Sequence, residues 1–263
     1  MKYLAKLSHK AANSLFKRTK SYRELCERIE LLEHLVIPPL QSGDIVSLRD
    51  GALFHVPNHD RDVIQRHMVK LRNYVEFDSL KELTSLIPEH GVVLDIGANI
   101  GNHSVYWGKY SKADAIHGFE PVPETFSILE RNIALNGLEG RAICHNFGLG
   151  KEASRGSIAQ FDEGNIGGTK IAADSKGSLA IRALDEWTGT QNLDRIDFIK
   201  IDVEGFEIFV IEGGLDTLKR YQPNIFIECF KPRQKPVFAA LSSIGYRVAK
   251  EFPDYNYLMT CKA

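Results

Sequence analysis

The chain has 263 residues, 43% of them hydrophobic and 25% charged, with a formal net charge of −1. That composition suits one large soluble α/β domain with an extension, and it excludes a chain too polar to build a core. The charge balance excludes a whole-chain pull towards nucleic acid or an anionic membrane.

The first forty residues read as helical. Leu4, Leu7, Ala11 and Leu15 recur at helical spacing, and Leu25, Ile29, Leu32 and Val36 do the same before Pro38 and Pro39 end the pattern. Residues 1–20 carry Lys2, Lys6, Lys10, Lys17, Arg18 and Lys20 with no acid. Two readings stand: a helical cap on the main domain or on a second subunit of a homodimer, or a basic amphipathic arm in peripheral contact with a membrane or a partner. Lys6, His9 and Lys10 interrupt any apolar core behind Met1, so a secretory signal is not expected. No apolar run approaches membrane-spanning length. Cys26, Cys144, Cys229 and Cys261 form no metal-ligand spacing. Reduced thiols and a cytoplasmic location are the expectation.

Residues 45–56 predict a hairpin turning at Asp50-Gly51. A linking helix is expected around 61–71. Strands are predicted at 92–96, 115–120, 141–147, 196–202 and 224–229. Helices fall between them at 103–110, 123–135 and 206–220, with an irregular stretch at 148–180. A helix near 234–244 and short strands near 246–250 and 256–261 follow. Alternation of apolar strands with helices predicts a doubly wound, mostly parallel sheet covered on both faces. Residues 1–73 are then an N-terminal helical extension and β-hairpin, and 74–263 the main domain. In such sheets ligands bind outside the carboxyl ends of the strands, where strand order reverses.

Three segments meet that rule. In VVLDIGANIGNHSVYW, residues 92–107, a buried strand ends at Asp95. Gly97, Ala98, Asn99 and Gly101 then turn the chain into a helix whose free N–H groups face outward. The phosphate-cradling spacing G-x-G-x-x-G is absent. An acid ahead of the turn suits a ligand bearing an ammonium or sulfonium and repels a pyrophosphate. His103, in the first turn of the helix, is placed to face such a ligand. In GFEPVPETF, Glu120 closes the second strand 19 residues after Gly101, where a carboxylate can accept hydrogen bonds from ribose hydroxyls. In FIKIDVEGFEIF, Asp202 ends a strand, Glu204 follows it, Glu207 opens a helix, and Glu228 closes the next strand. Carboxylates at adjacent strand ends are expected to bind something.

DIGANIG, FEPVPETF with NGL at 136–138, LDEW at 184–187 and DFIKIDVEGFE at 197–207 together resemble the FkbM-type family of S-adenosylmethionine-dependent methyltransferases over about Tyr74–Glu228. The resemblance implies a class I, Rossmann-like, seven-stranded sheet whose last strand is antiparallel. It implies methyl transfer from S-adenosylmethionine, usually to a hydroxyl of a sugar or natural product. By position, Asp95, Gly97, Asn99 and Gly101 match the cofactor loop, Glu120 the ribose acid and Asn146 an adenine contact. Asp202 or Glu204 is expected to orient or deprotonate the acceptor hydroxyl. A divalent metal held by these acids with Glu228 or Asp185 is the less favoured alternative. Tyr74, Glu76 and Trp187 are further acceptor-pocket candidates, and residues 164–178 predict a loop or lid beside the site. The partner is expected to be a small-molecule or glycan acceptor and not nucleic acid. A nicotinamide oxidoreductase and a non-catalytic cofactor-binding protein are the competing readings.

Overall fold

The computed structural model describes residues 44–160 and 168–261. The helices expected over 1–40 lie outside the described residues, as do residues 164–167 of the expected loop.

The hairpin forms from β1 (Ile45–Ser47) and β2 (Leu53–His55), with Val46 opposite Phe54. Both of those side chains are fully buried. Asp50 Oδ1 accepts the Ala52 N–H at 3.0 Å and so closes the turn. Helix α1 (Val63–Leu71) starts where expected, because Asp62 caps it by accepting the Gln65 N–H at 2.8 Å. Helix α2 (Phe77–Thr84) was not expected. It is eight residues long and buries only Leu80 and Leu83, too few to set a period.

From here strands and helices alternate: β3 (Val92–Ile96), α3 (Asn102–Tyr110), β4 (Ala115–Phe119), α4 (Pro123–Leu135) and β5 (Ala142–His145). The stretch expected to be irregular is a second, four-stranded sheet. Its strands are β6 (Gly148–Gly150), β7 (Ser154–Gln160), β8 (Lys170–Ala173) and β9 (Leu179–Ala183), in the order β6-β9-β7-β8. Periodicity could not find β7, SRGSIAQ, because it buries only Gly156 and has no apolar face to alternate. Next come α5 (Leu184–Thr190) and β10 (Phe198–Ile201). The single helix expected over 206–220 divides at Gly213-Gly214 into α6 (Glu207–Glu212) and α7 (Leu215–Tyr221). Strand β11 (Asn224–Glu228), α8 (Lys231–Ser243), β12 (Arg247–Phe252) and β13 (Asn256–Thr260) complete the described chain.

The main sheet has seven strands in the order β12-β13-β11-β10-β3-β4-β5. Strands β5, β4, β3, β10 and β11 are parallel, and β13 runs antiparallel to both of its neighbours. All five residues of β3 and all four of β10 are buried, as a sheet covered on both faces requires. One core packs Leu94, Ile96, Phe119, Ile199, Ile201, Ile225 and Ile227 against Trp187 and the α6 side chains Val210 and Ile211. The chain travels outward through β4 and β5, returns, and travels outward again on the other side through β10 and β11. Strand order therefore reverses between β3 and β10, and the crevice above their carboxyl ends is where a ligand belongs. Among the described residues no helix is long and apolar enough to cross a membrane.

Candidate active site

A cavity of about 300 Å³ opens at that crevice. Its wall includes Gly97 and Asn99 after β3, Glu120 after β4, Lys200, Asp202 and Glu204 from β10 and its loop, and Glu228 at the end of β11.

The loop after β3 is shaped by three left-handed residues, Gly97 (φ +80°), Asn99 (φ +49°) and Gly101 (φ +90°). The N–H groups of Gly97 and Ala98 both donate to the Phe119 carbonyl, at 3.0 and 2.9 Å, which ties the loop to β4. A Cβ on Gly97 would lie 1.8 Å from the Asp202 carbonyl oxygen. The missing side chain therefore makes room for the neighbouring loop, where the sequence suggested a ligand approach. At Gly101 a Cβ would meet Leu129 of α4 at 2.8 Å, so this glycine serves helix packing. Ala98 is buried against the β4 backbone. Neither Ala98 nor Gly101 lines the cavity.

Asp95 corrects the expectation placed on it. It is fully buried, accepts from Ser104 Oγ at 2.6 Å and lies 3.3 Å from Lys200 Nζ. Its charge is taken up inside the protein, and it does not line the cavity to meet a ligand cation. The partner was overlooked in the sequence. Lys200 stands opposite Asp95 in the β3–β10 register, donates to the Gly97 carbonyl at 2.7 Å and lies 3.4 Å from Asp202. Burial alone would lower the Lys200 pKa, but Asp95, Asp202 and Glu76 more than reverse this and hold it above the usual lysine value. A signal existed: a lysine inside the apolar run FIKI, matched by an aspartate inside the apolar run VVLDI.

His103 and Asn146 are also placed differently. His103 is buried with Nε2 3.3 Å from Glu76 Oε2 and its ring against Trp107, so it faces Glu76 and not the cavity. Asn146 is exposed, and its Nδ2 donates to the carbonyls of Glu120 (2.9 Å) and Pro121 (3.3 Å). It fixes the turn after β4, while Gly148 and Leu149 line the cavity nearby. Glu120 stays where expected. Its oxygens accept the Asn99 N–H at 3.1 Å and the Val122 N–H at 2.9 Å. Burial pushes its carboxyl up to about 7 in spite of those two bonds.

Asp202, Glu204 and Glu228 come together, each offering an oxygen within 4.8 Å of the others. Burial and the neighbouring Asp202 charge push Glu228 up to about 9. Burial, then Asp202, also raises Glu204, which sits in the left-handed region at φ +50°. Asp185 is not part of this group; it caps α7 by accepting the N–H groups of Asp216 and Thr217. Glu207 opens α6 as expected, accepting the Gly205 N–H at 2.7 Å with Arg233 3.5 Å away. Of the acceptor-pocket candidates, Glu76 lines the cavity. Tyr74 is buried with its hydroxyl on Asp50, and Trp187 is buried among His117, Phe119 and His145. Thr169 and Ile171, from the expected lid, line the cavity together with Asp254 of the β12–β13 turn and Asn256 at the start of β13, which carried no sequence signal.

A doubly wound domain with an acid-lined crevice at the switch point defines a class of ligand-binding α/β enzymes. The family model of the methyltransferase FkbM domain matches residues 95–248, more than half of the chain. The chain belongs to that methyltransferase family. It is 27% identical over 192 residues to Methyltransferase 1 of Beauveria bassiana, covering 64% of this chain and 77% of the relative. It is 31% identical over 149 residues to the hexuronic acid methyltransferase AglP of Haloferax volcanii, covering 55% and 58%. It is 29% identical over 156 residues to the 2-O-methyltransferase NoeI of Sinorhizobium fredii, covering 53% and 64%.

Proposed function

We propose that this protein transfers the methyl group of S-adenosylmethionine to a hydroxyl of a sugar, glycan or other natural product. The observation that carries the reading is the union, in one cavity, of the Gly97–Asn99 loop and Glu120 with Asp202, Glu204 and Glu228. The names of the Haloferax and Sinorhizobium relatives support a saccharide hydroxyl as the acceptor.

The residues present fit the cofactor. An ionised carboxylate offers about four acceptor positions, and Glu120 has used two of them on backbone N–H groups. Two remain for a pair of vicinal hydroxyls. The cofactor, when bound, supplies an electrophilic methyl on a sulfonium, so no acid is needed for the leaving group. The protein's part is alignment of the acceptor oxygen for in-line attack. Glu228, hydrogen-bonded to Asp202 and pushed up to about 9, keeps its proton at neutral pH. Asp202 or Glu204 orients the acceptor hydroxyl and takes its proton as the new O–C bond forms. Of Asp202→Asn and Glu204→Gln, the one that removes the base is expected to lower turnover by about 10²–10⁴-fold with little change in cofactor affinity. Near-normal turnover in both would reassign the base. A second reading has one specific support: the same three carboxylates lie close enough to hold a divalent cation, which would lower the hydroxyl pKa. Full turnover in excess chelator removes it.

The test of the main reading is a calorimetric titration with S-adenosylhomocysteine, with NAD⁺ in parallel. Saturable binding of the homocysteine compound alone is expected. Binding of NAD⁺ alone would overturn methyl transfer in favour of a nicotinamide-dependent reaction.

A further inference from the structure

The β12–β13 hairpin turns through two consecutive left-handed residues, Asp254 (φ +58°) and Tyr255 (φ +62°), with the Asn256 N–H donating to the Pro253 carbonyl at 3.3 Å. A two-residue hairpin loop of this kind is ordinarily filled by Asn, Asp or Gly. Asp254 fits that rule. Tyr255 does not, because a bulky side chain is strained in the left-handed region. Burial of the ring does not account for the strain either, since Tyr255 is 41% exposed. Strain kept at a site points to a function for the residue that bears it. The Tyr255 ring packs against Phe230, with centroids 5.2 Å apart, and the Arg233 guanidinium lies 5.5 Å over the Phe230 ring. Arg233 in turn crosses Gly205, where a Cβ would lie 2.3 Å from its Nη1, so the two rings are joined to the loop that carries Glu204.

The ring pair adjoins the cavity without lining it. Asp254 and Asn256, on either side of Tyr255, line the cavity, as does Glu228. Cys229 is fully buried, so by alternation Glu228 and Phe230 share the open side of the extended chain. Sheet order places the rings on the side away from the cofactor. Gly97, Glu120 and Leu149 follow β3, β4 and β5, whereas Phe230 follows β11 and Tyr255 precedes β13. Asp202, Glu204 and Glu228 stand between the two groups. From β4 to β13 is four strand spacings, roughly 19 Å, so a cofactor whose ribose meets Glu120 does not reach the rings. We propose that Tyr255 and Phe230 form a stacking subsite for a second pyranose ring, so that the acceptor is an oligosaccharide methylated on the ring beside Glu204. The inference deepens the proposed function and rests on it. The face of an aromatic ring is electron-rich and apolar, and the axial C–H face of a pyranose complements it on both counts.

The test uses the full chain saturated with S-adenosylhomocysteine and two probes, methyl β-glucoside and methyl β-cellobioside. Saturation-transfer NMR reads each affinity. The disaccharide is expected to bind tighter than the monosaccharide by about fivefold or more. Tyr255→Phe, which keeps the ring, should keep that advantage. Tyr255→Gly should abolish it while the affinities for the glucoside and for S-adenosylhomocysteine stay unchanged. Glycine accepts φ +62° without strain, so the same variant should melt at the wild-type temperature or above. Equal binding of the two probes by the wild type, or binding of neither, overturns the inference. So does an advantage that survives in Tyr255→Gly or is lost in Tyr255→Phe. A lowered melting temperature in Tyr255→Gly overturns it as well, because a ring that only pins the turn would give that result. Failure of the wild type to bind S-adenosylhomocysteine overturns the proposed function instead, so the two failures are separable.

Discussion

Glu120 illustrates how one side chain serves folding and function at different pH values. Its carboxyl is raised to about 7, so between the ordinary glutamate value and about 7 the folded protein keeps a proton that the unfolded chain has released. The contribution to stability therefore falls as pH rises through that window and levels off above it. Ligand hydroxyls favour the ionised form, because a charged acceptor makes the stronger hydrogen bond. S-adenosylhomocysteine affinity is accordingly expected to rise between about pH 6 and pH 8, with a proton released on binding. Calorimetry in buffers of different ionisation enthalpy measures that proton. Glu120→Gln should flatten the profile and weaken binding by about tenfold or more, since a hydrogen bond to a charged group contributes about 1.5–3 kcal/mol. A parallel pH profile in the variant would remove Glu120 from the binding site.

Among the elements, β3 and β10 depend on each other beyond their ladder. Asp95 and Lys200 are paired in register, both buried, and Lys200 also bonds the Gly97 carbonyl that begins the cofactor loop. Two buried ions add little net stability, but removing one leaves the other uncompensated. Lys200→Met is expected to lower stability by about 3–5 kcal/mol, measured by denaturant unfolding. The double variant Asp95→Asn/Lys200→Met should recover part of the loss, because the orphaned charge is gone. If the single and double variants are equally destabilised, the loss lies in packing and not in charge. The two strands bring the loop and the carboxylates to one place, and this lysine fixes their relation.

At the scale of the whole molecule, the parallel sheet was legible in the sequence. Apolar strands such as VVLDI and FIKI are buried on both faces, and alternation with helices leaves few topologies. Glu120, Asp202, Glu204 and Glu228 were legible for the same reason: polar residues ending apolar strands must emerge at one edge of such a sheet. The second sheet was not legible, since β7 is mostly exposed and carries no apolar alternation. The pairing of Asp95 with Lys200 was legible only in part: each is a charge inside an apolar run, but the two lie 105 residues apart and meet only when β10 returns beside β3. The sequence by itself determined the layered architecture, the cofactor-side turn and the family, because each rests on local pattern and short motifs. Tertiary structure alone decided which of those residues face the cavity. It turned Asp95 and His103 inward to partners and brought Glu76 and Asn256, 180 residues apart, to the same wall. The physical reason is that a side chain's direction and charge partner are set by strands and turns that no local window contains.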